Sequence, residues 1–142
     1  MYQKIRRTVK QLTYPRHPVS SKIILLNETG DKALMTVLPR GGFGLPGGHV
    51  EGLEQPDDTL ERELFEELGL SKGEYTDVVR REFLRFDSRI ILMYTGVLAE
   101  DVVITADPVE VKEVTWVSRQ DIEAGVIPAG KYTDYILTVL GE

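Results

Sequence analysis

The spacing of apolar residues along the chain predicts several strands around one amphipathic helix. Short apolar or alternating runs predict strands over residues 22–26, 33–38, 76–86, 90–98 and 111–117. Residues 27–31 join the first two strands as a hairpin turn, and a looser alternation is compatible with an edge strand over residues 4–12. Residues 41–48 hold five glycines and a proline, so an irregular loop is expected there.

The helix is predicted over residues 56–68. Leu60, Leu64 and Leu68 recur every four residues, which places them on one face as an apolar stripe. A proline at position 56 suits the first helical turn, and the two aspartates that follow it favour the positive end of the helix dipole. Gly69 suits the C-terminal cap. These signals agree with one another, so both ends of the helix are predicted.

Two further helices are predicted after the last strand. Ser118 has the character of an N-cap with Asp121 three residues later, and Gly125 closes this short helix. Residues 131–140 carry the apolar spacing of a helix that packs on a sheet. The order of elements predicts an α+β fold, in which a mixed β-sheet is flanked by helices as an α/β/α sandwich. A length of 142 residues fits a single domain over residues 1–142.

Composition and charge restrict the classes of function. The chain has no cysteine, which excludes thiolate metal sites and cysteine nucleophiles, and no apolar run long enough to span a membrane. The first residues lack the apolar block of a secretory signal, so a cytoplasmic location is the default expectation. The net charge is −6 although residues 1–27 contain six basic and no acidic residues. The acidic remainder argues against stable binding to nucleic acid.

A second face of the predicted helix carries carboxylates. Glu63, Glu66 and Glu67 are three or four residues apart and therefore neighbours on one helical surface. Such a face is usually solvated, but here a glycine-rich loop ending at Gly48 precedes it. Glycines let backbone carbonyls approach a bound ion, and Mg²⁺ prefers oxygen ligands. The combination favours a divalent-metal site over a solvated surface.

The stretch from Gly48 to Leu70 resembles the Nudix box. That motif reads Gly, five residues, Glu, seven residues, then Arg-Glu-apolar-any-Glu-Glu-any-Gly-apolar. All nine specified positions are filled here, by Gly48, Glu54, Arg62, Glu63, Leu64, Glu66, Glu67, Gly69 and Leu70. Two positions depart from the commonest pattern, since Leu53 stands where glycine is frequent and residues 59–60 stand where small residues are frequent. Neither departure removes a carboxylate.

The resemblance implies a set of metal ligands and their supports. Mg²⁺, or Mn²⁺ in its place, would be held by Glu63, Glu66 and Glu67 together with the Gly48 carbonyl. Arg62 would orient a glutamate of the box, either Glu54 or Glu66, and Glu51 would join through water. Some family members use a further carboxylate six residues before the tryptophan. Glu110 occupies that position here, and Glu113 is a close alternative.

The resemblance also implies the reaction, the attack of water on a phosphorus of a diphosphate. A carboxylate or the metal activates the water, and Glu63 is the favoured base, with Glu110 second. Arg40, Phe43 and Phe86 are candidate substrate-binding residues, Arg40 for a phosphate and the two phenylalanines for stacking on a base. Phe83, Tyr132 and Tyr135 are further candidates for stacking. His49 is adjacent to the expected metal but is interpreted as a loop residue without a catalytic role.

Substrate markers are weaker than the motif itself. Sequence features of ADP-ribose, dinucleoside polyphosphate, NADH and coenzyme A hydrolases are missing, so elimination favours a MutT-like enzyme. Such an enzyme converts a normal or oxidised nucleoside triphosphate to a monophosphate and pyrophosphate. Hydrolysis of ADP-ribose or a nucleotide sugar remains the alternative. A non-catalytic nucleotide sensor and an RNA-end pyrophosphohydrolase using the basic N-terminal segment are rival hypotheses, and a homodimer paired through that segment is compatible with the sequence.

Overall fold

The computed structural model describes residues 1, 4–5 and 16–141. The edge strand expected over residues 4–12 lies outside this described part, except for Lys4 and Ile5, which are helical. The edge strand, and the homodimer that would pair through it, therefore stay predictions.

Seven strands of the described chain form one mixed sheet. They are β1 (Val19–Leu26), β2 (Lys32–Val37), β3 (Phe43–Gly44), β4 (Gly47–His49), β5 (Tyr75–Phe86), β6 (Arg89–Leu98) and β7 (Glu113–Ser118). The central path runs β3-β2-β1-β6-β5, while β4 pairs with β1 and β7 pairs with β2. The β1–β6 pair is parallel and the other pairs are antiparallel. The predicted mixed sheet is confirmed.

Helices cover both faces of the sheet. They are α1 (Pro56–Leu68), α2 (Arg119–Glu123) and α3 (Lys131–Val139). Successive residues of a strand point to opposite faces, so buried Ile23 and Ile24 of β1 enter two different cores. Ile23 belongs to the core that contains the leucine stripe of α1, and Ile24 to the core that contains Ile136 of α3. The predicted α+β arrangement is confirmed.

The glycine-rich segment is more regular than the sequence predicted. Residues 41–48 are not one irregular loop, because they contain β3 and most of β4. Gly47 pairs with Lys22, and a Cβ at Gly47 would overlap the Ser21 carbonyl oxygen. Glycine here permits close pairing of two backbones rather than an irregular path.

The last strand begins two residues later than expected. Val111 lies in a turn, where its backbone N–H donates to the Asp107 carbonyl at 2.8 Å, and β7 starts at Glu113. The long loop before β7 thereby keeps residues 107–111 beside α1. Within the described residues, every helix is too short or too polar to cross a lipid bilayer.

Candidate active site

Three carboxylates from two separated segments meet beside β4. Glu63, Glu67 and Glu110 each present an oxygen, and these oxygens lie within 4.8 Å of one another. Glu63 and Glu67 are one helical turn apart on α1 and are both buried, whereas Glu110 is exposed on the loop before β7. The i,i+4 spacing of two carboxylates is a property of the helix, but the position of the third carboxylate depends on the path of a distant loop.

The loop that carries Glu110 is fixed to the end of α1. The backbone N–H groups of Thr105 and Asp107 donate to the carbonyls of Leu68 and Glu67, at 2.9 and 2.8 Å. These carbonyls have no partner within the helix, because the last turn of a helix leaves its C=O groups unsatisfied. The helix end therefore positions the loop, and the loop positions Glu110.

Gly48 lies against the carboxylate of Glu63. A Cβ on Gly48 would overlap the Glu63 side-chain oxygens. Only glycine lets β4 approach α1 this closely. The backbone angles of this residue are ordinary, so the requirement for glycine comes from space alone.

Arg62 ties the loop before α1 to the carboxylate face of the helix. Its Nε and one terminal nitrogen donate to both oxygens of Glu54, at 3.1 and 2.8 Å. Its other terminal nitrogen donates to Glu63 and Glu66, both at 3.0 Å, while the terminal nitrogen that binds Glu54 also donates to the His49 carbonyl at 3.1 Å. The hydrogen bonds from Arg62 lower the pKa of Glu54 to about 2, with help from neighbouring donors. The pairs expected of Arg62 with Glu54 and Glu66 are both present.

Glu66 is placed apart from the group of three. Its carboxylate is half exposed and pairs with Arg62. Glu66 and Glu67 are consecutive on the helix, so their side chains point about 100° apart. The structure brings Glu63 and Glu67 together and leaves Glu66 beside the arginine.

Lys22 is a part of the site that sequence reasoning missed. Its ammonium group donates to the carbonyls of Leu45 and Gly47, at 3.1 and 2.9 Å. Burial lowers the pKa of Lys22, while the charges of Glu67 and Glu63 act in the opposite direction. A lone lysine inside the otherwise uncharged strand β1 was the available signal.

The electrostatics of the three carboxylates suit a cation. Burial raises the pKa of Glu67 to about 8, Lys22 opposes this shift, and Glu63 adds to it. Burial and the charge of Glu63 likewise raise the pKa of Glu110. Negative charge is therefore concentrated here beyond what Lys22 compensates, and a divalent cation would relieve it.

The carboxylates open into a cleft of about 550 Å³. Phe43 lines it, as expected of a substrate-binding residue. Phe86 is outside the lining but packs edge-on against Tyr132, which does line the cleft, with ring centroids 5.9 Å apart. Arg40 is exposed in the turn between β2 and β3 and is not among the lining residues, so the structure gives it no contact with this cleft.

Tyr132, a stacking candidate from the sequence, contributes an aromatic ring to the lining. Arg89 and Lys131, which were not identified from the sequence, contribute positive charge. His49 also lines the cleft and shares a hydrogen bond with the Ser20 hydroxyl at 2.9 Å. These side chains come from β1, β4, β6 and α3, so no local pattern in the sequence connects them.

Comparisons with solved structures show the same fold. A MutT/nudix family protein from Enterococcus faecalis matches over 83% of this chain with a TM-score of 0.63 and 22% identity, and this chain spans 51% of that protein's length. A NUDIX-family hydrolase from Clostridium perfringens matches over 88% of this chain and 99% of its own length, with a TM-score of 0.65 and 18% identity. An Ap4A hydrolase from C. elegans matches over 84% and 92%, with a TM-score of 0.68 and 18% identity.

Comparison with protein families gives the stronger result. No curated protein sequence matches this chain. The family model described as NUDIX domain matches residues 16–136, which is most of the chain and includes every residue of the site. The prediction of a Nudix pyrophosphohydrolase is confirmed at the level of the family, and this chain belongs to the NUDIX domain family.

Proposed function

We propose that this protein hydrolyses the pyrophosphate linkage of a nucleoside diphosphate derivative with the help of Mg²⁺. The observation that carries the proposal is the convergence of Glu63, Glu67 and Glu110 at the edge of a cleft large enough for a nucleotide. Hard divalent cations prefer such oxygen ligands, and Mg²⁺ in particular is often shared between a few carboxylates and substrate phosphates.

The residues present fit a divalent cation. The carboxylate oxygens are close enough to share one ion, and Gly48 keeps the β4 backbone against Glu63, where a side chain would fill the space. Glu63 and Glu67 would hold the ion, with the Gly48 carbonyl as a further candidate, while the exposed carboxylate of Glu110 lies beside them. Bound Mg²⁺, or Mn²⁺, would neutralise charge on the phosphate oxygens. Arg62 would keep Glu63 oriented for this role through their ion pair.

We assign the role of general base to Glu110 in preference to Glu63. Glu63 is buried, and one of its oxygens already accepts a hydrogen bond from Arg62. Glu110 is exposed at the cleft, and burial together with the charge of Glu63 raises its pKa, which makes this carboxylate a better proton acceptor. Attack of water on phosphorus would then transfer one proton to Glu110.

The rest of the cleft supports a nucleoside as part of the substrate. Phe43 and Tyr132 also line an adjoining recess of about 280 Å³, with Met35 at its base and residues 128–133 along one side. Aromatic and apolar walls of this kind suit a flat base. We propose a nucleoside triphosphate, normal or oxidised, as the substrate, with ADP-ribose or a nucleotide sugar as the alternative. The C. elegans neighbour, named as an Ap4A hydrolase, adds dinucleoside polyphosphates to the compounds worth testing.

A hydrolysis screen in the presence of Mg²⁺, with the nucleotide products separated by chromatography, tests the proposal. The panel contains normal and oxidised nucleoside triphosphates, ADP-ribose, nucleotide sugars and a dinucleoside polyphosphate. Turnover of one class that disappears in Glu67→Gln would support the proposed function and identify the substrate. Nucleotide binding without turnover of any compound would contradict it and favour a nucleotide sensor.

The assignment of the base has a separate test. Glu110→Gln is expected to lower kcat by about 10² to 10⁴ with little change in KM, because proton transfer is lost while binding is kept. Glu63→Gln is expected to weaken metal binding as well. If Glu63→Gln leaves metal affinity unchanged but Glu110→Gln abolishes it, the two roles are reversed.

A further inference from the structure

Two cationic side chains that form no ion pair among the described residues line the cleft. Arg89 begins β6 and Lys131 begins α3, and both line the cleft that contains the carboxylates. In the described parts of the chain, no carboxylate forms an ion pair with either side chain. The proposed hydrolysis assigns no role to these residues, since the cation at Glu63 and Glu67 would neutralise the diphosphate.

Both cations belong to the aromatic part of the cleft. The Lys131 ammonium lies 4.3 Å from the centroid of the Phe86 ring, a cation–π contact that holds it in place. Tyr132 is the next residue and packs on the same Phe86 ring. Burial raises the pKa of the Tyr132 hydroxyl, and the nearby charge of Arg89 opposes that rise. Arg89 and Lys131 therefore both lie near the aromatic wall formed by Tyr132.

The cleft has a carboxylate end and an aromatic end. The carboxylates and the cation that they bind would hold the diphosphate at the first end, and the aromatic rings at the second end suit the base. In a nucleotide the ribose connects these two parts. A positive pair beside the aromatic wall is then within reach of groups on the ribose, and an arginine and a lysine together match a phosphate.

We propose that Arg89 and Lys131 form a subsite for a second phosphate, carried on the ribose of the substrate. The inference rests on the proposed function, because it assumes that the diphosphate occupies the carboxylate end of the cleft. The preferred substrates would be nucleoside diphosphate derivatives with a 2′- or 3′-phosphate. The terminal phosphate of a longer 5′-phosphate chain offers the same charge and oxygen atoms to this subsite. The experiment below distinguishes this source from a phosphate on the ribose.

Binding without a divalent metal tests the subsite alone. Adenosine 5′-monophosphate is compared by calorimetry with adenosine 2′,5′-bisphosphate and adenosine 3′,5′-bisphosphate. The protein is expected to prefer one bisphosphate by about tenfold, the gain from one or two charge-assisted hydrogen bonds at an accessible site. Arg89→Gln and Lys131→Gln should each reduce this preference to about twofold or less, while Lys131→Arg retains it.

The matched control is Arg85→Gln. Arg85 is exposed on the β5–β6 hairpin that also carries Arg89, and it does not line the cleft. Arg85→Gln therefore removes one positive charge, as Arg89→Gln and Lys131→Gln do. The preference for the bisphosphate should survive this substitution. Equal loss of preference in Arg85→Gln, or absence of any preference in the unsubstituted protein, would overturn the subsite.

Turnover separates the subsite from the proposed function. ADP-ribose is compared with ADP-ribose 2′-phosphate, and adenosine triphosphate with adenosine tetraphosphate, each with Mg²⁺. A lower KM for the ribose phosphate that is lost in Arg89→Gln supports the proposal, whereas a preference only for the longer chain overturns it. A bisphosphate preference in binding without hydrolysis of any compound would contradict the proposed hydrolysis and leave the subsite supported.

Discussion

Glu63 and Glu67 are buried carboxylates, and burial ordinarily favours the neutral form of such groups. The protein reduces this cost with two cations on different sides. Arg62 pairs with Glu63, and the charge of Lys22 acts on Glu67. The raised pKa of Glu67 indicates that compensation is incomplete until another positive charge is present. At the scale of single residues, the protein without metal is therefore electrostatically strained.

Removing the charge of Glu67 should reveal this strain. A carboxyl whose pKa is raised from 4.5 to about 8 destabilises the fold increasingly as the pH rises between these values. Glu67→Gln is therefore expected to raise the Tm of the metal-free protein at pH 8.5 and to abolish the further rise that Mg²⁺ causes in the unsubstituted protein. Thermal unfolding with and without Mg²⁺ measures both effects. An unchanged response to Mg²⁺ would mean that Glu67 is not a ligand.

Gly48 offers a second test at this scale. In Gly48→Ala the new methyl group would overlap the Glu63 carboxylate, so metal affinity and kcat should fall at least tenfold. Shortening the opposing side chain makes room for the methyl group. The double variant Gly48→Ala, Glu63→Asp should therefore bind Mn²⁺ more tightly than Gly48→Ala alone. Additive losses in the double variant would show that the two residues do not compete for space.

At the scale of elements, α1 organises the site at both of its ends. Arg62 attaches the preceding loop through Glu54, and the last carbonyls of the helix hold the loop that carries Glu110. The helix thus presents its own carboxylates and places a third, Glu110, from a loop more than forty residues further along the chain. Its carboxylate face contacts neighbouring elements and is therefore more than a solvated surface.

The Arg62–Glu54 pair predicts a dependence of stability on pH. Glu54 has a folded-state pKa of about 2, below its ordinary value of 4.5. Its contribution to stability is therefore present above pH 4.5 and is lost as the pH falls through 2. The carboxyl of Glu54, followed by NMR, should titrate at a higher pH in Arg62→Met, although the hydrogen bonds from Glu51 and Thr59 still keep its pKa below the ordinary value. Chemical denaturation should show a stability difference between Glu54→Gln and the unsubstituted protein that shrinks between pH 5 and pH 2. A difference that is constant over this range would contradict the pairing.

At the scale of the whole molecule, the site depends on the core beneath α1. Leu64 is fully buried between the helix and the sheet, adjacent to Glu63 in the chain, and belongs to the same core as Ile23 and Leu92. The ligands can keep their positions only while this helix keeps its packing. Stability of the fold and geometry of the metal site are thereby linked.

A matched pair of leucines tests this link. Leu64→Ala is expected to lower the free energy of unfolding by about 3 kcal/mol, through lost burial and the cavity left behind. Leu53→Ala removes the same atoms from a fully exposed side chain and should have almost no effect. Urea denaturation measures both values. A large effect of Leu53→Ala would indicate a packing partner for that residue, which the described structure does not contain.

The sequence by itself determined most of the elements and the two carboxylates that α1 contributes to the candidate site. Helix α1 was predicted with its observed bounds because proline, acidic residues, leucine spacing and the terminal glycine are all local signals. The same helical period placed Glu63 and Glu67 on one face. Most strands were recognised for the same reason, since alternation is also a local property.

The tertiary structure decided which distant residues share the site. Glu110 was suggested only by resemblance, and Lys22, Arg89 and Lys131 were not identified, because no periodic pattern connects β1, β6, α3 and the loop before β7. The regular strands within residues 41–48 were missed because their pairing partners lie on β1 and β2. Local spacing specifies the face of one element, while the pairing of strands and the packing of helices determine what that face meets.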